Sequence, residues 1–210
     1  MDKRRTQLAM SAAGAFLAWA AVILQFILML ENRAFSVPET IVRFFSYYTI
    51  ITNLLVACCF TALVCKRVEA KPRFFAKPQV LAATAVYITI VGAVYNIILR
   101  NLWAPEGLQR VVDELLHSVN PLYYLVFWIV FIPKAGLTWK HVFPWLIYPM
   151  VYFLFILVRG VVFDFYPYPF INVTELGWGK VLLNSAGITA AFVLMSLVII
   201  GVSRLKRVFP

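Results

Sequence analysis

The sequence predicts an all-α, polytopic membrane protein with six transmembrane helices and both termini in the cytoplasm. Of its 210 residues, 63% are hydrophobic and 13% are charged. A soluble domain of this size cannot bury so much apolar surface, whereas a membrane protein exposes it to lipid. Apolar stretches of about 20 residues, the length that crosses a bilayer, recur along the whole chain. We therefore expect one integral membrane domain over residues 1–210.

The predicted spans are separated by short polar or proline-containing segments. The first follows Asp2-Lys3-Arg4-Arg5 and is too long for a signal-peptide core, so we expect it to be retained. The fourth is the shortest and begins near Asp113. The fifth carries Arg159 near its end and precedes the loop Tyr166-Pro167-Tyr168-Pro169-Phe170, which suits a membrane interface. The six spans cover residues 8–30, 44–65, 79–99, 115–132, 142–163 and 181–203.

Positive charge indicates the orientation of these spans. With the N-terminus inside, the outer segments hold six of the 19 Lys and Arg residues, and the inner segments hold the rest, including Lys66, Arg67, Lys71 and Arg73. This asymmetry follows the positive-inside rule. It also accounts for the net charge of +10 without a nucleic-acid partner. The outer six are Arg33, Arg43, Arg100, Arg110, Arg159 and Lys180.

Metal and cofactor motifs are absent from the sequence. The three cysteines, Cys58, Cys59 and Cys65, lie in one apolar span without metal-ligand spacing or partner histidines. No phosphate-binding loop, nucleophile elbow or zinc-protease motif occurs. We expect inert thiols, no metal and no cofactor.

Polar residues within the spans concentrate near the outer face. Thr49 lies six residues beyond Arg43, roughly 9 Å deeper, and His117 lies four residues beyond Asp113, roughly 6 Å deeper. Buried polar groups are costly in a bilayer, so a cluster at one depth predicts a functional cavity. The other members of the predicted layer are Gln25, Thr52, Asn53, Asn96, Arg100, Asn120, Arg159, Asp164, Asn184 and Ser185.

Asp113, His117 and Asn120 lie at i, i+4 and i+7, on one helical face. A carboxylate one turn from an imidazole holds its tautomer and stabilises its charged form. A hydroxyl that faces this imidazole is a candidate nucleophile. These residues predict a catalytic unit of Thr49 as nucleophile, His117 as base and Asp113 as the group that orients it.

Each residue also has a structural interpretation. A threonine in a membrane helix commonly bonds the carbonyl one turn back, and asparagines such as Asn53, Asn96 and Asn184 can join helices. Arg100 and Arg159 can extend to lipid headgroups. Asp113 and Glu114 can simply occupy a helix N-terminus, where the dipole favours anions.

The chain also resembles the small bacterial six-helix membrane proteins related to the animal androgen-induced protein family. The resemblance lies in Phe44-Phe45-Ser46-Tyr47-Tyr48-Thr49-Ile50-Ile51-Thr52-Asn53-Leu54, in His117-Ser118-Val119-Asn120-Pro121, and from Arg159-Gly160 to Phe170. It implies a bacterial cytoplasmic membrane protein. The animal proteins are threonine hydrolases of fatty acid esters of hydroxy fatty acids, and their essential Thr and His match Thr49 and His117. They carry an acidic residue three positions after the threonine, where this chain has Thr52.

The leading prediction is an intramembrane lipid-ester hydrolase with a fatty-acid ester as substrate and membrane lipids as neighbours. Asn53, Asn96 or Asn184 would donate to the oxyanion. The alternative is a lipid-binding or transport protein in which Arg100 and Arg159 hold a headgroup. A structural membrane protein, with the polar layer joining helices, is the third hypothesis. The sequence leaves the oligomeric state open.

Overall fold

Helices form every regular element in the part of the chain that the computed structural model describes, which is residues 2–65, 74–102, 104–134 and 136–208. No strand occurs among these residues, so the predicted all-α class is confirmed. Within the same residues, five helices are long and apolar enough to cross a membrane, or six if one bent pair counts as a single span. These helices are compatible with an integral membrane protein. The count of six and the cytoplasmic termini stay predictions.

The packing of the chain divides it into two compact units, Met1–Ala135 and Gly136–Pro210. The single domain over residues 1–210 stays a prediction. Four of the basic residues that support the predicted orientation, Lys66, Arg67, Lys71 and Arg73, lie outside the described residues.

The α-helices of the first unit are α1 (Lys3–Glu31), α2 (Val37–Phe45), α3 (Tyr48–Val64), α4 (Pro78–Val94), α5 (Gly107–Glu114) and α6 (Asn120–Phe131). The carboxylate of Asp2 accepts a hydrogen bond from the backbone N–H of Arg4 and caps α1. The hydroxyl of Ser36 caps α2 in the same way, ahead of a proline in the first turn.

Small residues allow α1 to pack closely against α3. A Cβ atom added to Gly14 would lie 2.6 Å from the ring of Phe60, so only glycine fits at this contact. Ser11, Ala18 and Ala21 are buried on α1 as well. Small side chains are the usual means by which membrane helices approach each other. The contact positions α3, the helix that carries Thr49.

The second predicted span is not one straight helix. It is divided into α2 and α3, which are bent by 70° at a short break. At the break, the N–H of Ser46 bonds to the carbonyl of Arg43, and Tyr47 has an extended backbone. The count of roughly 9 Å from Arg43 to Thr49 assumed one continuous helix, and this assumption was wrong. Thr49 is the second residue of α3.

The fourth span is longer than predicted. α5, a π-helical turn over Leu115–Val119 and α6 run continuously from Gly107 to Phe131, which is 25 residues. Its first turns contain polar residues, so the apolar pattern of the sequence did not predict them as part of the span. Asp113 and Glu114 thus lie beyond the first turn, where the helix dipole gives little stabilisation to an anion. The start predicted near Asp113 was wrong for this reason.

The second unit contains α7 (Val142–Phe163) and α8 (Val173–Val208). α7 matches the predicted fifth span and ends at Asp164, which has a left-handed backbone (φ 48°). α8 includes the predicted sixth span and is kinked at Gly177 (φ 74°), a conformation that glycine adopts without strain. A short 3₁₀ turn, Pro169–Ile171, lies between the two helices.

Candidate functional site

Two π-helical turns face each other in the first unit, and they carry Asn96 and His117 of the predicted polar layer. One turn, Tyr95–Leu99, continues α4, and the other, Leu115–Val119, joins α5 to α6. A π turn inserts an extra residue into a helix and frequently marks a functional site. The sequence did not reveal either turn.

Pro121 explains why the second turn exposes its backbone carbonyls. Proline has no N–H, and the N–H of Asn120 already bonds to the carbonyl of Leu115. The carbonyls of Leu116 and His117 therefore lack the donors that a regular helix would supply. Each accepts a hydrogen bond from an asparagine of a neighbouring helix instead. A carbonyl that lacks a donor costs free energy when it is removed from water, so the asparagines stabilise the turn.

Asn53 is the first of these asparagines, and it is completely buried. Its amide nitrogen donates to the carbonyl of Thr49 at 2.9 Å and to that of Leu116 at 3.2 Å. Its amide oxygen accepts a hydrogen bond from Asn120 at 2.9 Å. One amide group thus holds the backbone of Thr49 next to the turn that carries His117.

Asn96 is the second, and it joins α4 to the same turn. Its amide nitrogen donates to the carbonyl of Gly92 at 2.8 Å and to that of His117 at 3.3 Å. The helices can approach because a Cβ atom on Gly92 would lie 3.0 Å from Pro121 and 3.2 Å from the His117 carbonyl. Both amide hydrogens of Asn53 and of Asn96 are engaged. The expectation that either residue donates to an oxyanion does not fit this geometry.

His117 and Asp113 form a close pair, in which Nδ1 is hydrogen-bonded to the Asp113 backbone carbonyl and lies within ion-pair distance of its carboxylate. Nδ1 of the imidazole lies 3.1 Å from a carboxylate oxygen of Asp113 and 2.9 Å from its backbone carbonyl. The other carboxylate oxygen accepts a hydrogen bond from the hydroxyl of Tyr95, whose ring also stacks on the imidazole at 4.0 Å between centroids. A hydrogen-bonded carbonyl and a nearby carboxylate oxygen at Nδ1 favour the tautomer that is protonated there. Among the described residues, no side chain bonds to Nε2, which leaves this nitrogen as the basic one.

Arg100 is paired rather than open to an anion. Its guanidinium forms two hydrogen bonds with the carboxylate of Glu114, at 2.6 and 2.8 Å. It also donates to Ser118 at 3.0 Å and to Asn96 at 2.9 Å. A bidentate carboxylate neutralises the charge that a lipid headgroup would need. This pairing disfavours Arg100 as a headgroup ligand.

Thr49 and Thr52 are both buried in α3, with Thr49 8% exposed. Thr52 lies fully inside the unit and not on an accessible surface. The Asn53 bridge places the backbone of Thr49 beside the His117 turn. An attack geometry, with the Thr49 hydroxyl facing Nε2 of His117, stays a prediction.

Arg159 and Asn184 belong to the second unit. The guanidinium of Arg159 is buried and lies 5.0 Å from the ring centroid of Phe165, a cation–π contact. The amide nitrogen of Asn184 donates to the carbonyl of Phe170 at 2.9 Å, which ties α8 to the aromatic loop. Their predicted convergence with Thr49 and His117 stays a prediction.

Sequence reasoning missed Tyr95 and Pro121. Tyr95 lies within an apolar run, where an aromatic side chain is ordinary, and its hydroxyl alone indicates a need for a partner. Pro121 directly follows Asn120, and a proline inside a span predicts unpaired carbonyls about one turn earlier. That signal was present in the sequence and could have located the turn.

The arrangement provides an imidazole whose Nδ1 is held by the Asp113 carbonyl beside its carboxylate, and whose Nε2 has no side-chain partner among the described residues, next to a helix that carries a buried threonine. Among the described residues, no group of three or more His, Cys, Asp or Glu side chains could hold a metal ion. No protein-family model matches this chain, and no curated protein or solved structure matches it either.

Proposed function

We propose that this protein is an intramembrane lipid-ester hydrolase with Thr49 as nucleophile and His117 as base. The supporting observation is the Asp113–His117 pair, with Nε2 open, on a turn that Asn53 ties to the backbone of Thr49. A hydroxyl beside an oriented imidazole is the recurring arrangement of an activated nucleophile. The proposal includes membership of the bacterial relatives of the androgen-induced protein family, a bacterial cytoplasmic membrane and a site towards the outer leaflet.

The reaction begins when the Thr49 hydroxyl attacks the ester carbonyl carbon and His117 Nε2 takes its proton. The tetrahedral intermediate collapses, and Nε2 returns the proton to the departing alcohol. The product at this stage is an acyl-threonine. Water then attacks the acyl group with His117 again as base, which releases the fatty acid and restores the threonine. Asp113 stabilises the imidazolium that forms in each half of the cycle.

In this mechanism, groups other than Asn53 and Asn96 stabilise the oxyanion, because both amide hydrogens of each of these residues are already engaged. Asn120 uses one amide hydrogen for Asn53 and has one hydrogen left to donate. Removing one such donor typically lowers kcat by roughly 100-fold or more.

The test combines covalent labelling with turnover. Purified protein is incubated with a fluorophosphonate probe, the adduct is mapped by mass spectrometry, and hydrolysis of a chromogenic fatty-acyl ester is followed in parallel. We expect labelling at Thr49 that is lost in His117→Ala. Thr49→Ser should keep part of the turnover, and Thr49→Val should abolish it.

Thr89→Val is the matched control, because it removes a threonine hydroxyl that bonds the carbonyl of Ala85 in its own helix. Its turnover should equal that of the wild type. Absence of labelling and turnover in folded wild-type protein, with lipid binding lost equally in Thr49→Val and His117→Ala, would contradict the proposal and favour lipid binding or transport.

A further inference from the structure

Tyr95 is the buried residue of its π turn, and the residues that follow it are exposed. It is 5% exposed, whereas Asn96, Ile97 and Ile98 are exposed. The π turn therefore aims one large side chain inward at the place where α4 meets the helix of His117. A buried tyrosine needs a partner for its hydroxyl, and here that partner is a carboxylate.

Tyr95 contacts both members of the Asp113–His117 pair. Its ring lies nearly parallel to the imidazole, with 14° between the planes and 4.0 Å between the centroids. Its hydroxyl donates to the carboxylate oxygen of Asp113 that the imidazole does not use. The stacked ring limits the tilt of the imidazole, and the hydroxyl limits the rotation of the carboxylate.

Tyr95 is itself held in place from a third side. The guanidinium carbon of Arg100 lies 5.3 Å from the centroid of the Tyr95 ring, and Arg100 is anchored by both oxygens of Glu114. Arg100 and Glu114 thus support the ring that supports the imidazole. The Arg100–Glu114 ion pair therefore contributes to the packing of Tyr95 and is not arranged to bind an anion.

We propose that Tyr95 is a positioning residue that holds His117 in the tautomer with a bare Nε2. Without the hydroxyl, one carboxylate oxygen of Asp113 loses its donor and the carboxylate is free to turn. The Asp113 carbonyl would then be the remaining fixed acceptor for Nδ1. The expected change in the His117 tautomer follows from these contacts alone. The expected change in turnover rests on the proposed function.

The tautomer of His117 can be measured by nitrogen NMR, because the chain has two histidines, His117 and His141, and their signals can be assigned separately. Protein labelled with ¹⁵N-histidine is placed in lipid nanodiscs at a pH at which both imidazoles are neutral. Nitrogen chemical shifts then separate protonated from bare ring nitrogens. His141 is an internal reference of the opposite kind, because its Nδ1 accepts a hydrogen bond from the Thr138 N–H at 3.0 Å. We expect Nδ1–H for His117 and Nε2–H for His141.

Tyr95→Phe keeps the stacked ring and removes only the hydroxyl. We expect the Nε2-protonated form of His117 to rise roughly tenfold and kcat for the ester to fall by a similar factor with KM unchanged, as the loss of one charge-assisted hydrogen bond implies. Tyr95→Leu, which also removes the ring, should change both readouts further. Tyr124→Phe is the matched control, because its buried hydroxyl bonds the carbonyl of Leu81 and not His117.

An unchanged His117 spectrum in Tyr95→Phe would overturn the inference, whether or not the variant is less stable, because a purely structural role leaves the tautomer unaltered. A shifted spectrum in Tyr95→Phe together with no turnover in wild-type protein would support the positioning role and overturn the hydrolase. Equal spectral changes in Tyr95→Phe and Tyr124→Phe would also overturn it, because the effect would then not be specific to the Asp113 contact.

Discussion

Four hydroxyls of α8 and three polar side chains near the paired π turns differ in where they form hydrogen bonds. In α8, the hydroxyls of Ser185, Thr189, Ser196 and Ser203 each bond to the carbonyl four residues earlier in the same helix, at 2.7 to 2.8 Å. In the π-turn cluster, which comprises Asn53, Tyr95, Asn96, Asp113 and His117, three side chains form hydrogen bonds to other helices. Asn53 reaches Leu116, Asn96 reaches His117, and Tyr95 reaches Asp113.

The difference is between polar side chains that fit any packing of their helix and polar side chains that require one particular packing. A hydroxyl that bonds its own helix is satisfied wherever that helix lies, so it carries no information about neighbours. A side chain that bonds another helix is satisfied in one arrangement only. The cluster therefore specifies how α3, α4 and the His117 helix meet, and it maintains the Asp113–His117 pair.

Asn53→Leu should produce the largest loss of stability, because it removes three hydrogen bonds at a fully buried position. The carbonyl of Leu116 and the amide of Asn120 would lose their partner. We expect the free energy of unfolding in mixed micelles to fall by about 2 kcal/mol. A loss no greater than that of a hydroxyl deletion in α8 would mean that the cross-helix bonds do not stabilise the unit.

Pro121→Ala should partly rescue Asn53→Leu. Alanine restores a backbone N–H that can bond the carbonyl of Leu116 or His117. In a double-mutant cycle, we expect a favourable coupling of about 1 kcal/mol between the two substitutions. Simple additivity of the two effects would contradict the view that the missing proline N–H is what requires Asn53.

Glu114→Gln should have a smaller effect on stability than Asn53→Leu, because the ion pair with Arg100 is partly exposed. Its effect on the binding of an anionic lipid should be larger than its effect on stability. With the carboxylate neutralised, Arg100 gains an open charge, and an anionic lipid titrated into solubilised protein should bind several-fold more tightly. Tight binding of that lipid to the wild type, lost in Glu114→Gln, would reverse our assignment of Arg100.

Ser196→Ala should have the smallest effect. The hydroxyl is buried but bonds only the Phe192 carbonyl in the same helix, which retains its backbone N–H partner. We expect a change within about 0.5 kcal/mol in the same unfolding measurement. A loss comparable to that of Asn53→Leu would remove the contrast between the two regions.

Much of the helix layout was predictable, and the exceptions have local causes. Apolar length alone identified α1, α4 and α7, because any helix of that length and composition favours lipid. The break at Ser46 and Tyr47 was missed because no proline or glycine marks it. The early start at Gly107 was missed because the first two turns of that helix are polar.

The sequence by itself determined the residue types, their approximate spans and the i, i+4 spacing of Asp113 and His117, since these depend on local geometry along one helix. Only the tertiary structure decided that Tyr95 joins this pair, that Arg100 is bound by Glu114 and that Asn53 connects Thr49 to Leu116. Each of these contacts spans two helices. Their register is set by close packing at Gly14 and Gly92 and by the carbonyls that Pro121 leaves open, and sequence periodicity does not encode how separate helices align.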